Sequence, residues 1–148
     1  MKSAILLLLL SLLSLTSAYY NCGTNACDRY WTCLKGIPPY PSCSNGCGER
    51  VSLTQDVSNR WKQDGIDFVQ VTVVVTNIGP VAIKDVLIDG AELPFIGTDL
   101  WNVNRLPNGD IMFPSYQVSL AAGYSFTFGY IARSDSPAHL WIKNIYVL

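Results

Sequence analysis

The feature that most constrains this chain is strict alternation of apolar and other side chains in short segments. Phe126, Phe128 and Tyr130 occupy every second position between Ser125 and Ile131. Successive side chains of a β-strand point to opposite faces, so these three rings share one side of a strand. A face made of three aromatic rings predicts burial against a second layer.

The same period of two recurs along most of residues 51–148. The longest predicted strand, Ile66 to Asn77, places Val69, Val71, Val73 and Val75 on one face and more polar residues on the other. The other predicted strands are Val51 to Val57, Val81 to Asp89, Ile111 to Phe113 and Leu140 to Leu148. Turn sequences such as Asp64-Gly65 separate them, and no helical period is evident. We therefore predict an all-β fold, an antiparallel β-sandwich, over residues 51–148.

The N-terminal 18 residues have a different character. One lysine precedes a leucine-rich run that ends in the small residues Ser17 and Ala18. This pattern is typical of a secretory signal peptide, and the run is short for a bilayer span. We predict a secreted, extracellular protein that is free of the membrane.

Residues 19–50 form a cysteine-rich segment that precedes the predicted sandwich. All five cysteines lie there: Cys22, Cys27, Cys33, Cys43 and Cys47. In an oxidising compartment they predict a disulfide framework, with one cysteine left over and the pairing open. The rings of Tyr19, Tyr20, Tyr30, Trp31 and Tyr40 are expected to pack over the disulfides; the alternative is an exposed patch. A metal site is disfavoured, because the sole histidine, His139, is distant in sequence.

Charge and motif content exclude several function classes. Without Lys2, nine basic residues (10 minus 1) face eleven acidic ones, and the basic residues are scattered, so nucleic acid is not an expected partner. No pair of carboxylates is suggested by spacing for glycoside hydrolysis, and no GxSxG sequence accompanies His139. We predict a protein that is not an enzyme and uses no cofactor.

Several motifs, taken in order, resemble family 49 carbohydrate-binding modules. They are VSLTQ from Val51, Trp61, FVQVTVVVTN, IKDVLI, LWNV, FPSY, SLAAGYSFTFGYI and SPAHLWIKNIYVL, spanning residues 51–148. Each motif alone is weak, but their order and spacing are specific. The resemblance implies a small cellulose-binding β-sandwich of the kind found in some plant endoglucanases and in extracellular matrix proteins of amoebae.

The resemblance also implies which residues face the sugar. By position these are Trp61, Trp101 and Tyr116, and the last departs from the tryptophan that is common in the family. Trp141 is an additional candidate. Exposed rings stack on the apolar faces of sugars and lose little rotamer entropy. The alternative for each tryptophan is burial in the core. Polar neighbours that are candidates for hydrogen bonds to sugar are Gln55, Asn59, Gln63, Asn102, Asn104 and Gln117.

Two functional hypotheses follow from these observations. The leading one is a secreted, non-catalytic protein of the matrix or cell wall that binds a polysaccharide, cellulose or a related β-glucan. The alternative is a secreted cysteine-rich ligand or matrix-assembly protein that acts through a protein partner of the cysteine-rich segment. The odd cysteine motivates the alternative hypothesis.

Overall fold

A computed structural model describes residues 20–22, 25–27, 31–36, 42–44, 50–93 and 99–148. The predicted signal peptide, residues 1–18, lies outside them. These ranges contain strands and no helix, and hence no helix long and apolar enough to cross a membrane. The strands are β1 (Tyr20–Cys22), β2 (Asn25–Cys27), β3 (Thr32–Lys35), β4 (Ser42–Ser44), β5 (Val51–Gln63), β6 (Ile66–Asn77), β7 (Ile83–Ile88), β8 (Leu100–Trp101), β9 (Asn104–Arg105), β10 (Ile111–Met112), β11 (Ser125–Ala132) and β12 (Ile142–Val147).

Two sheets form the layers of a sandwich. The four-stranded sheet has the order β5-β6-β11-β8, and the six-stranded sheet has the order β4-β3-β12-β7-β10-β9. Every pairing is antiparallel except that of β3 with β12. Strands β1 and β2 pair separately. The prediction of an all-β sandwich with a disulfide-containing N-terminal segment is confirmed.

The core lies where the alternation predicted it. Phe128 pairs with Val73 and Tyr130 with Val71, so the aromatic face of β11 and the valine face of β6 point to the same side. The buried residues of the four-stranded sheet include Val69, Val71, Val73, Val75, Phe126, Phe128 and Tyr130, and the opposing sheet contributes Val86, Ile88, Ile142 and Ile145. Removal of this apolar surface from water is the main stabilising contribution to the fold.

The Tyr130 hydroxyl lies inside the core and is fully hydrogen-bonded. The Tyr130 hydroxyl donates to Oε1 of Gln55 at 2.7 Å and accepts from the backbone N–H of Ala138 at 2.8 Å. Nε2 of Gln55 in turn donates to the Ala138 carbonyl at 3.0 Å. These bonds fix the 133–140 connection against β5 and β11. Burial raises the pKa of Tyr130 to about 12.

We expect the free energy of unfolding to fall in strong alkali because of Tyr130. Its pKa is raised in the folded protein, so the stabilising effect is complete below the unfolded value near 10 and is lost as the pH rises to about 12. Two pKa units correspond to about 3 kcal/mol. Urea titrations between pH 9 and pH 12 measure this fall, and the Tyr130→Phe variant should show a smaller one. An equal fall in that variant would assign the effect to other groups.

The cysteine-rich segment is part of the six-stranded sheet. Strand β3 pairs in parallel with β12, and Oγ1 of Thr32 donates to the Ile142 carbonyl at 2.7 Å. A disulfide joins Cys22 to Cys33, whose Cα atoms are 5.5 Å apart. Trp31 packs against this buried disulfide, as predicted for the rings of the segment.

The pairing of the other cysteines is described only in part. Cys43 is also disulfide-bonded. Cys47 and the side chain of Cys27 lie outside the described part of the chain, as do Tyr19, Tyr30, Tyr40 and the side chain of Tyr20. The segment thus joins the sandwich through the pairing of β3 with β12, and it contains at least one internal disulfide.

Candidate functional site

The candidate site is the solvent-facing side of the four-stranded sheet, called here the outer face. In β6 the valines on the inner side are buried, whereas Gln70, Thr72, Val74 and Thr76 are half-buried. Antiparallel partners share a face, so the outer face continues onto Thr127, Gly129 and Ile131 of β11. Both sequence and register therefore leave one broad side of this sheet open to solvent.

Trp101 packs directly over Gly129 on this outer face, which the absence of a Cβ at that glycine permits. Strand β8 pairs with β11 so that Trp101 is opposite Gly129. A Cβ atom at Gly129 would lie 2.3 Å from Cζ2 and 2.6 Å from Cε2 of the indole. Any larger residue would therefore displace the ring. The Trp101 side chain remains 39% exposed, so the prediction that it lies outside the core is correct.

Asn102 connects Trp101 to Tyr116. Asn102 adopts the left-handed conformation (φ 66°), which asparagine tolerates better than most residues. Its Nδ2 donates to the Thr127 carbonyl, and its Oδ1 accepts from the Tyr116 hydroxyl. Tyr116 is 67% exposed. The structure thus brings together two aromatic residues that are 15 positions apart in the sequence, on the same edge of the sheet.

Trp61 lies on the same face at the opposite edge. It pairs across strands with Phe68, and their rings stack with centroids 5.4 Å apart and planes 6° apart. Phe68 precedes Thr72 by four positions on β6, so the two share a face. The Arg133 guanidinium lies 6.0 Å from the Phe68 centroid, within cation–π range. Trp61 is half-buried against Phe68.

Register gives the separation of the two tryptophans. Trp61 is opposite Phe68 of β6. Trp101 is opposite Gly129, which is in turn opposite Thr72 of β6. The two tryptophans are therefore four residues apart along the strands and three strand spacings apart across the sheet. With spacings of about 3.3 Å and 4.8 Å, their Cα atoms are roughly 20 Å apart on a diagonal. This distance suits an extended ligand that contacts several positions.

Trp141 lies elsewhere. It immediately precedes β12 of the six-stranded sheet, between the buried residues Leu140 and Ile142. Its side chain hydrogen-bonds to Asp89, and the Lys143 ammonium lies 6.0 Å from its ring centroid. The structure therefore does not bring Trp141 to the outer face.

The polar candidates for sugar contact lie in different parts of the structure. The Gln55 side-chain amide forms hydrogen bonds with Tyr130 and with the Ala138 carbonyl on the inner side of the sheet, so it stabilises the core. Nε2 of Gln117 donates to the Ser119 carbonyl, which is a local turn contact. Asn102 belongs to the outer face. Gln70 and Gly129 also belong to the outer face and are not predicted from the sequence as candidates, although a glycine inside a strand often marks close approach of another group.

Two carboxylates away from the outer face, those of Asp85 and Glu92, have partners within the fold. Burial raises the pKa of Asp85 even though the backbone N–H groups of Phe113 and Val86 donate to its carboxylate and oppose the shift. Glu92 accepts from the His139 backbone N–H at 2.7 Å. Among the described residues, no group of three or more His, Cys, Asp or Glu side chains is placed to hold a metal ion.

Comparison with known proteins places these residues in a family context. Residues 51–134 match the family model described as "Carbohydrate binding domain CBM49". The chain is 35% identical to stalk-specific protein A of Dictyostelium discoideum over 159 residues, covering 95% of this chain and 97% of the relative. It is 34% identical to stalk-specific protein B of the same organism over 165 residues, with the same coverage.

A third relative is a plant enzyme. Endoglucanase 19 of Arabidopsis thaliana is 30% identical over 94 residues, which make up 64% of this chain and 14% of the enzyme. No solved structure matches the chain. The matched segment is thus a small part of the enzyme.

Proposed function

The chain belongs to the CBM49 family of carbohydrate-binding domains, and we propose that it is a secreted, non-catalytic protein that stacks exposed aromatic residues on a β-glucan such as cellulose. The observation that carries this proposal is the Trp101 indole lying on Gly129 at the outer face, with Tyr116 beside it. Trp61 extends the same face toward β5. Together they offer apolar plates to the faces of sugar rings.

The acidic side chains support binding rather than hydrolysis. A glycosidase holds two carboxylates across the scissile bond in an open site. Asp89 and Asp110 are close to each other, but both bind Lys143, and the Asp110 side chain is only 5% exposed. The carboxylate of Asp85 is engaged by two backbone N–H groups. We propose that these acids maintain the fold.

Localisation and partners follow from the same proposal. The two similar proteins of Dictyostelium are named as stalk-specific, and the plant relative is named as an endoglucanase. These names, together with the predicted signal peptide, support an extracellular place in a matrix or cell wall. A protein partner for the cysteine-rich segment remains a second proposal, which the odd number of cysteines favours.

Binding to insoluble cellulose tests the proposed function. We expect the full-length secreted protein to be depleted from solution by microcrystalline cellulose with a Kd of about 1 μM, or about −8 kcal/mol. Stacking is apolar, so the Kd should change little between low and moderate salt. Protein remaining in the supernatant would contradict binding to cellulose, and strong loss of binding in salt would indicate a charge-driven contact instead.

A further inference from the structure

The diagonal between Trp61 and Trp101 crosses two other outer-face side chains. The line from Trp61 to Trp101 first crosses β6 near Gln70. It then crosses β11 near Ile131, which is the residue that pairs with Gln70. Trp101 lies one strand beyond. Both Gln70 and Ile131 are half-buried. Along this diagonal the side chains are, in order, an aromatic ring, an amide, an aliphatic group and a second aromatic ring.

The Gln70 amide is available for a ligand. Oγ of Ser58 donates to the Gln70 backbone carbonyl at 3.2 Å, whereas the side-chain amide forms no hydrogen bond with the described residues. An amide supplies both donors and an acceptor, which suits adjacent hydroxyl groups of a sugar. Gln55, the comparable residue on the inner side, uses both of its amide atoms within the fold.

Tyr116 belongs to the Trp101 end of the diagonal. Asn102 binds the Thr127 carbonyl, and Thr127 is two residues further from Trp61 than Gly129 is along β11. The Tyr116 hydroxyl is bound to Asn102, so it is held at the Trp101 end of the diagonal. Gln70 lies between the two tryptophans.

We propose that the ligand is an extended β-glucan chain that crosses all four strands diagonally from Trp61 to Trp101, and that Gln70 hydrogen-bonds its hydroxyls between the two stacking positions. This inference rests on the proposed function and adds the chain direction, the minimum ligand length and a specificity-determining residue. A ligand that contacts both tryptophans must span roughly 20 Å, given the strand spacings.

Cello-oligosaccharides of two to six glucose units test the length requirement by calorimetry on the full-length protein. The hexasaccharide should bind at least about tenfold more tightly than the disaccharide, because only a long ligand reaches both plates. In the Trp61→Ala variant this gain with length should largely disappear. A wild-type affinity that does not depend on length would overturn the diagonal path.

A Gln70→Met variant tests the amide, because methionine keeps the length of the side chain and removes its hydrogen bonds. We expect about fivefold weaker binding of the hexasaccharide with unchanged unfolding, since a typical net hydrogen bond is worth about 1 kcal/mol. The control is Thr54→Val, which removes an exposed hydroxyl from the same face of β5 away from the diagonal.

The outcomes separate this inference from the proposed function. Weakened binding in Gln70→Met, with Thr54→Val like wild type, supports the role of Gln70. Wild-type affinity in Gln70→Met, while cellulose is still bound, overturns that role and leaves the proposed function standing. Absence of binding to both cellulose and the oligosaccharides overturns the two together.

Discussion

The triple variant Trp61→Ala, Trp101→Ala and Tyr116→Ala is expected to remain in solution with cellulose at concentrations where the wild-type protein is bound. Each ring contributes roughly 1.5 kcal/mol if it covers about 60 Å² of sugar at 25 cal/mol per Å². Three rings therefore lower the affinity by about three orders of magnitude. Depletion isotherms on microcrystalline cellulose measure the loss, and full binding by the triple variant would contradict the stacking proposal.

Two further variants control for composition and for folding. Trp141→Ala removes a tryptophan on the side of the six-stranded sheet and should bind cellulose like wild type. Gly129→Val keeps all the aromatic residues but places a Cβ where the Trp101 indole lies, 2.3 Å from its nearest ring atom. We expect Gly129→Val to bind about tenfold more weakly, because one plate is tilted off the outer face. Circular dichroism of each variant should show the same strand content.

The Lys143→Met variant is expected to lose about 2–3 kcal/mol of the free energy of unfolding. Nζ of Lys143 lies 2.7 Å from Oδ1 of Asp110 and 3.2 Å from Oδ2 of Asp89. Burial lowers the pKa of Lys143, but its hydrogen bonds and charge interactions with the two aspartates outweigh burial and raise it. Removing the ammonium leaves the buried Asp110 carboxylate without its cationic partner, although Nδ2 of Asn108 still donates to it at 2.9 Å. The penalty is large, and partial exposure of Lys143 reduces it.

Thermal unfolding measures this effect. For a domain of this size the loss corresponds to a Tm lower by roughly 10 °C. The double variant Lys143→Met and Asp110→Asn removes the uncompensated charge as well and should recover most of the stability. A Tm of Lys143→Met within about 1 °C of wild type would show that the ion pairs contribute little, as is common at exposed sites.

The sequence predicted the strands of the core with good accuracy. Phe126, Phe128 and Tyr130 are buried as their alternation required, and the predicted strand Ile66 to Asn77 has the same bounds in β6. The predicted strand Val81 to Asp89 is shorter, as β7 covers Ile83–Ile88. Its two faces do not alternate cleanly in the sequence, and pairing with β12 shows register shifts there.

The predicted site residues were harder to place from sequence. Trp101 occupies a strand of two residues whose position depends on pairing with β11, 28 positions later. Gln55 was a candidate for sugar contact but lies on the inner side, because the register of β5 against β6 places it opposite Val73. Strand register comes from long-range pairing, which local composition does not specify.

By itself, the sequence determined that this chain forms an all-β sandwich with a valine and aromatic core, because the period of two is a local property of each strand. It also identified the carbohydrate-binding family through the order of its motifs. Only the tertiary structure decided that Trp61 and Trp101 share the outer face, that Asn102 binds the Tyr116 hydroxyl beside Trp101, and that Trp141 lies elsewhere. The reason is that strand register, the missing Cβ of Gly129 and the hydrogen bonds of Asn102 act between residues far apart in the chain.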